Sequence, residues 1–294
     1  MTPALIAVQL NSQDDLDRNL HRIHALLAAH WQQHPPVCPA LVVLPENALC
    51  FAPGQQHRVA ERHDALRAQL ADLARQFQMY LVAGTLPCPY RPDGRPVPDG
   101  RLRATCLMFA PDGQLLGRYD KIHLFDVDVP DGIGRYQESA VYEPGEAVVC
   151  VATPWGRVGL MVCYDVRFPE LALQLRQQGA DVLTVPAAFT HSTGQLHWEL
   201  LLRARAMDVQ CVVVGSAQAG WHGQRQTWGH SMVTDARGRV LARLDGPEAG
   251  VLQSDWPATD QQRCREAMPL LAHRRLHRDA AAREAFYSDP LRSL

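Results

Sequence analysis

Short unbroken apolar runs alternate with helix-spaced apolar positions along most of the chain. "ALIAVQL" (4–10) reads as a buried strand. Beyond Asn11 and Ser12, either of which can cap a helix, Leu16, Leu20, Ile23 and Leu27 recur in steps of four, three and four. "ALVVLPE" (40–46) is a second strand, halted by Pro45, and Leu66, Leu70, Leu73 and Phe77 mark a second helix. "MYLVAGT" (79–85) is a strand, followed by a Pro/Gly/Asp-rich surface loop at 88–101 and a hairpin over 104–121 turning at Pro111-Asp112-Gly113. Residues 122–146 are irregular, polar and glycine-rich.

Regularity returns with two strands around the Trp155-Gly156 turn, a helix from Phe168 to about Gly179 and a strand over 180–188. A helix over 197–210, a strand over 211–218 and a hairpin over 230–244 follow, with Met207 expected on the buried side of its helix. Helices that alternate with strands, some of them joined by tight hairpins, predict an α/β protein with mixed sheets and helices on their outer faces. The two halves echo each other: in each, a strand ends in a reactive residue, Glu46 or Cys163, and a helix and a strand follow.

The 294 residues are 47% hydrophobic and 20% charged, ample for a core. A formal charge of −2 provides no field to recruit nucleic acid or a membrane surface. No apolar stretch approaches the ~20 residues of a membrane span, and "MTPALIAVQLNSQ" enters strand-like sequence at once, so no signal peptide is expected. Eight scattered cysteines, without a C-x-x-C pair or zinc-ligand spacing, fit a reducing cytoplasm. No HExxH or compact His/Asp cluster suggests a metal.

Chemistry is concentrated where apolar runs end. "GLMVCYDVRFPEL" (159–171) carries Cys163 to the exit of a strand, just before a helix. Glu46 ends "LVVLPEN" and Lys121 ends "LLGRYDKIH". A nucleophilic thiol needs a base and a positive group to hold the oxyanion that forms on attack. Each residue alone has a bland reading: a packed cysteine, a rim carboxylate, a solvated lysine. No single bland reading covers all three.

"LPEN", "YDKIHLFDVDVPDG", "YQES" and "GLMVCYDVRFPEL" resemble, in order and over nearly the whole chain, the Glu-Lys-Cys signatures of the nitrilase (carbon–nitrogen hydrolase) superfamily. The resemblance implies a four-layer α-β-β-α sandwich with two mixed sheets. It implies one domain over 1–294, its body at about 3–270; beyond it the basic run "HRRLHRDAAARE" (273–284) reads as a solvated helix face, with a binding patch as the other reading, in a tail at about 271–294. It also implies cleavage of a non-peptide C–N bond without metal or cofactor, in a homodimer or higher homo-oligomer paired through helices beside the site. Carried over by position, Cys163 is the nucleophile, Glu46 the general base and Lys121 the oxyanion partner. Glu138 is a supporting glutamate, and the Tyr164 N–H is a second oxyanion donor. Cys163-Tyr164-Asp165-Val166-Arg167 is similar to the branch that holds omega-amidase and deaminated glutathione amidase, with 189–220 and 227–242 closer to the latter. That implies a 2-oxoglutarate-type acyl amide as substrate. Omega-amidase action on 2-oxoglutaramate, another small-amide hydrolase and an acyltransferase stand as alternatives. A guanidinium fork at Arg167 could grip the substrate carboxylate; a helix-start salt bridge is the other reading.

Overall fold

In a computed structural model, residues 3–129 and 134–275 are described. Two six-stranded mixed sheets lie face to face. The first runs, in spatial order, Gly250–Asp255, Ala4–Gln9, Leu41–Val43, Tyr80–Cys88, Arg103–Phe109 and Leu115–Asp120. The second runs Val240–Arg243, Met232–Thr234, Val212–Ala217, Val182–Ala187, Gly156–Leu160 and Cys150–Thr153. The inner strands of each sheet are parallel and the outer pairings antiparallel.

The layers follow from two periodicities. Along Ala4–Gln9, Leu5 and Ala7 face the second sheet, where they meet Val158, Leu160 and Val213 in one apolar cluster. The alternate residues Ile6 and Val8 face outward and pack with Leu16, Ile23 and Leu27 of the helix Leu16–Gln33 and with Leu66, Leu70 and Leu73 of the helix His63–Phe77. A strand with both faces covered reads as an unbroken apolar run. Pro169–Gln177 and His191–Val209 cover the outer face of the second sheet through Leu171, Leu175, Trp198 and Leu202.

Several expected boundaries move. The first helix is capped by the Asp15 side chain, which accepts from the Arg18 amide, not by Asn11 or Ser12. Ser12 is buried and its hydroxyl is committed to the Ala48 carbonyl. The helix expected to begin at 197 begins at His191, because the Thr190 side chain caps it by accepting from the Thr193 N–H; Gly194 in its first turn leaves room for Trp228 where a Cβ would clash. Met207 is 49% exposed, not core: the buried stripe of its helix is Trp198, Leu202, Ala206 and Val209. The irregular segment 122–146 holds a hairpin, Asp126–Val129 with Gly134–Gln137. The tail expected over about 271–294 lies, beyond Arg275, outside the described residues. Among the described residues, no helix is long and apolar enough to cross a membrane.

The parallel strands end together on one side of the sandwich. There Leu10 of one sheet edge bridges Gln218 of the other: the Leu10 N–H donates to the Ala217 carbonyl at 3.3 Å and the Ala219 N–H to the Leu10 carbonyl at 2.8 Å. Loops leaving the carboxyl ends of these strands surround one cavity of about 300 Å³.

Candidate active site

Three chain segments bring their functional side chains to the cavity floor. Leu41–Val43 feeds the turn bearing Glu46, Leu115–Asp120 feeds Lys121, and Gly156–Leu160 feeds Cys163, which opens the short 3-10 turn Cys163–Arg167. All three line the cavity, yet they are only 5%, 1% and 8% exposed.

Two glycines allow the backbones this close. A Cβ on Gly84 would sit 1.8 Å from the Pro45 carbonyl oxygen, and one on Gly145 would sit 2.0 Å from that of Asp120. Only a residue without a side chain lets neighbouring chain pass beside the residues that precede Glu46 and Lys121. The Glu46 turn is held further by Gln218, whose amide donates to the Glu46 carbonyl and to the Ser12 hydroxyl, each at 2.9 Å. Cys163 has φ of 47°, in the left-handed region that a side chain with a Cβ adopts at a cost.

Asp165, fully buried, overdetermines that strained turn. One carboxylate oxygen accepts from the Tyr119 hydroxyl at 2.7 Å and the Val162 N–H at 2.9 Å. The other accepts from the His123 N–H at 3.1 Å and meets the His123 ring Nδ1 at 2.7 Å. One carboxylate therefore locks the residue before Cys163 to the residues flanking Lys121. In the sequence Asp165 stands only as part of a branch-like motif, and nothing in the local pattern singles out Tyr119 or His123. A lone aspartate after a cysteine carries no signal of its burial.

The electrostatics centre on Lys121. Its ammonium donates to Glu46 Oε1 at 2.8 Å and to both oxygens of Glu138, at 3.0 and 2.9 Å. Burial alone would push this ammonium down; the carboxylates of Glu138 and Glu46 outweigh it and hold Lys121 well above the usual lysine range. Glu138 Oε2 also accepts from the Phe125 N–H at 2.7 Å. Burial raises the Glu138 carboxyl, Lys121 draws it down and Glu46 adds to the rise. Burial likewise raises the Cys163 thiol well above the ordinary cysteine range; the neighbouring Glu46 adds to this and Lys121 opposes it. The thiol is thus held in its neutral form beside Glu46, a carboxylate placed to take its proton. Tyr164 follows it at the start of the turn and lines the cavity, its ring edge-on to Phe125 and Phe168.

Arg167, the expected carboxylate-binding residue, stands behind two rings of the cavity wall, Phe189 and Tyr164. Its guanidinium meets His197 Nδ1 at 3.3 Å, and it is not itself among the residues that line the cavity. Two arginines that sequence reasoning passed over, Arg135 and Arg225, do line it. Both sit in segments whose two-stranded hairpins were not read from the chain.

The hairpin Ala219–His222 with Arg225–Trp228 is anchored by His222, 2% exposed. Its Nδ1 meets the Ser12 carbonyl at 2.7 Å and its Nε2 the Thr227 hydroxyl at 2.8 Å, while Phe51 packs edge-on at 4.6 Å. Burial pushes its pKa down to about 4, with Arg225 adding to the fall. The unfolded chain binds this proton near pH 6.5 and the folded protein does not. Stability should therefore fall as pH drops from about 6.5 to about 4, by up to about 3 kcal/mol. Urea midpoints of wild type and His222→Gln at pH 7 and pH 4.5 check this: acidification should erode the wild-type protein more. Parallel losses would show that His222 titrates alike folded and unfolded.

Comparison with known proteins agrees with this geometry. Residues 5–266 match the carbon-nitrogen hydrolase family. A deaminated glutathione amidase of Yersinia enterocolitica is 45% identical over 240 residues, 80% of this chain and 82% of that one. Omega-amidase of Homo sapiens is 40% identical over 208 residues, 70% of this chain and 72% of that one. An amidase from Nesterenkonia sp. AN1, solved with an acetamide moiety added covalently at its active-site cysteine, superimposes with a TM-score of 0.77. It is 26% identical and matches over 97% of each chain. With a matched segment that spans both sheets and all three strand-end residues, the chain belongs to the carbon–nitrogen hydrolase (nitrilase) superfamily.

Proposed function

We propose that this protein is a cysteine-dependent amidohydrolase that cleaves the amide of a 2-oxoglutarate-type acyl group, with deaminated glutathione as its substrate. The observation that carries the reading is the meeting of Cys163, Glu46 and Lys121 on one cavity, with the Lys121 ammonium 2.8 Å from Glu46 Oε1. Relatives that act on deaminated glutathione and those named omega-amidase both support the acyl class; the higher identity of the former favours the larger leaving group.

The reaction runs in two halves. Cys163 Sγ attacks the amide carbon while Glu46 takes the thiol proton. The oxyanion so formed is held by the Lys121 ammonium and the Tyr164 N–H. Collapse breaks the C–N bond, Glu46 passes its proton to the departing nitrogen, and a thioester remains on Cys163. Water then attacks the thioester carbon as Glu46 takes its proton. The second oxyanion collapses, the acid leaves, and Glu46 returns the proton to sulfur. Glu138 keeps Lys121 in place and charged throughout.

The protein works as a cytoplasmic homodimer or higher homo-oligomer. Leu196, Leu200 and Met207, all exposed on the helix His191–Val209 next to the cavity, supply an apolar face for a second copy. The direct test is release of 2-oxoglutarate from deaminated glutathione and from 2-oxoglutaramate. We expect kcat/KM at least about tenfold higher for the first, because a discarded dipeptide offers more to bind than ammonia. The reverse order would make the protein an omega-amidase, and capture of the acyl group by added amines in preference to water would make it a transferase. Neither product from either amide would sink the reading.

A further inference from the structure

Arg225 occupies a position that a structural arginine does not explain. It projects from the hairpin Ala219–Trp228 into the cavity wall, with its guanidinium carbon 4.7 Å from the centre of the Tyr136 ring and 5.6 Å from that of Phe51. No carboxylate among the described residues pairs with it, whereas Glu46 and Glu138 share the Lys121 ammonium and Asp165 has its own donors. Its Nε is buried without a hydrogen-bond partner. A buried donor left unsatisfied is costly, and a planar fork held between two aromatic faces is pre-organised for a two-oxygen anion.

The side of the cavity it occupies says which anion. On the reaction proposed above, on which this inference rests, Glu46 returns its proton to the departing nitrogen, so the leaving group lies along the Glu46 turn. Phe51 extends that same turn, joining Asn47, Cys50 and Gln55 in the cavity wall, and Arg225 lies over Phe51. The acyl side is the Cys163 turn with Ala188, Phe189 and Thr190. We propose that Arg225 is a specificity-determining residue that binds a carboxylate carried by the leaving amine, as at the C-terminus of a dipeptide, with the exposed Arg135 adding positive charge at the mouth.

The test compares 2-oxoglutaryl-cysteinylglycine, its C-terminal glycinamide and 2-oxoglutaramate, on wild type, Arg225→Met and Arg225→Lys. Arg225→Met should raise KM for the dipeptide acid by roughly 10- to 100-fold with kcat nearly unchanged, since the contact exists in ground and transition states alike. KM for the glycinamide and for 2-oxoglutaramate should change by less than about twofold, and Arg225→Lys should recover part of the loss by supplying charge without the fork. Equal losses on acid and glycinamide would make Arg225 a packing residue and overturn the inference. A matching loss on 2-oxoglutaramate would place the acyl carboxylate there and overturn it too. A wild-type protein that hydrolyses none of the three would sink the proposed reaction. Titration of the acid and glycinamide onto Cys163→Ala protein would then decide the anion site separately. Tighter binding of the acid, abolished in Cys163→Ala/Arg225→Met, supports it; equal binding overturns it.

Discussion

Cys163→Ala should leave no measurable turnover, a loss of at least about 10⁵-fold, the order found when a covalent nucleophile is removed from an otherwise intact site. The fold should survive. The substitution removes one sulfur at the cavity floor, and the Asp165 bonds to Tyr119, Val162 and His123 that hold the turn do not involve the thiol. Its Tm should hold or rise, because the wild-type site keeps a neutral thiol beside a carboxylate in a buried setting for chemistry and not for stability. Two measurements check this. Mass spectrometry of acid-quenched wild type during turnover should show the acyl adduct on the peptide containing Cys163, and the variant should show none. Hydrolysis by Cys163→Ala above the level of a mock purification, or an adduct on Cys50, the other cysteine that lines the cavity, would mean the nucleophile has been misassigned.

The sequence carried the architecture well because both faces of the inner strands are buried. Leu5 to Val8 and Val212 to Val214 must be apolar in every position, so they stand out as runs. The reactive residues were legible for the complementary reason: Glu46, Lys121 and Cys163 interrupt such runs at their ends, where a polar side chain needs a function or a partner. What holds those residues was not legible. Gly84 and Gly145 act through what their missing Cβ would strike, Pro45 and Asp120, and neither contact has a trace in local pattern. Asp165 and Gln218 act through hydrogen bonds that cross 42 and 172 residues of chain. The hairpin that carries Arg225 is four residues a side and half-exposed, too short to set a period. Arg167 stands close to the nucleophile in sequence, and in space its guanidinium packs on Phe189 and Tyr164 of the cavity wall and faces His197.

Lys121→Met should cost at least about 10³ in kcat while the thiol at Cys163 stays open to alkylation. The ammonium is the only cation hydrogen-bonded to Glu46 and Glu138 among the described residues, so its loss also leaves a buried and a partly buried carboxylate facing one another. Breaking a buried pair in this way typically costs about 3–5 kcal/mol, and an inactive but half-unfolded variant would say little about catalysis. The sign of the pH dependence separates the two effects. Burial and the neighbouring Glu46 raise the Glu138 carboxyl, and without Lys121 nothing opposes that rise above its unfolded value. The variant is then least destabilised at low pH, where both states are protonated, and loses stability as pH rises through the raised folded value. Adding Glu138→Gln removes one of the two charges, so Lys121→Met/Glu138→Gln should recover most of the lost Tm at pH 7 and flatten its pH dependence. It should recover no activity, because the cation that holds the oxyanion is still missing. Denaturation curves and single-turnover rates on both variants check this. Recovery of turnover together with stability would mean that Lys121 serves only to neutralise Glu138 and Glu46, and that the oxyanion is held by backbone alone.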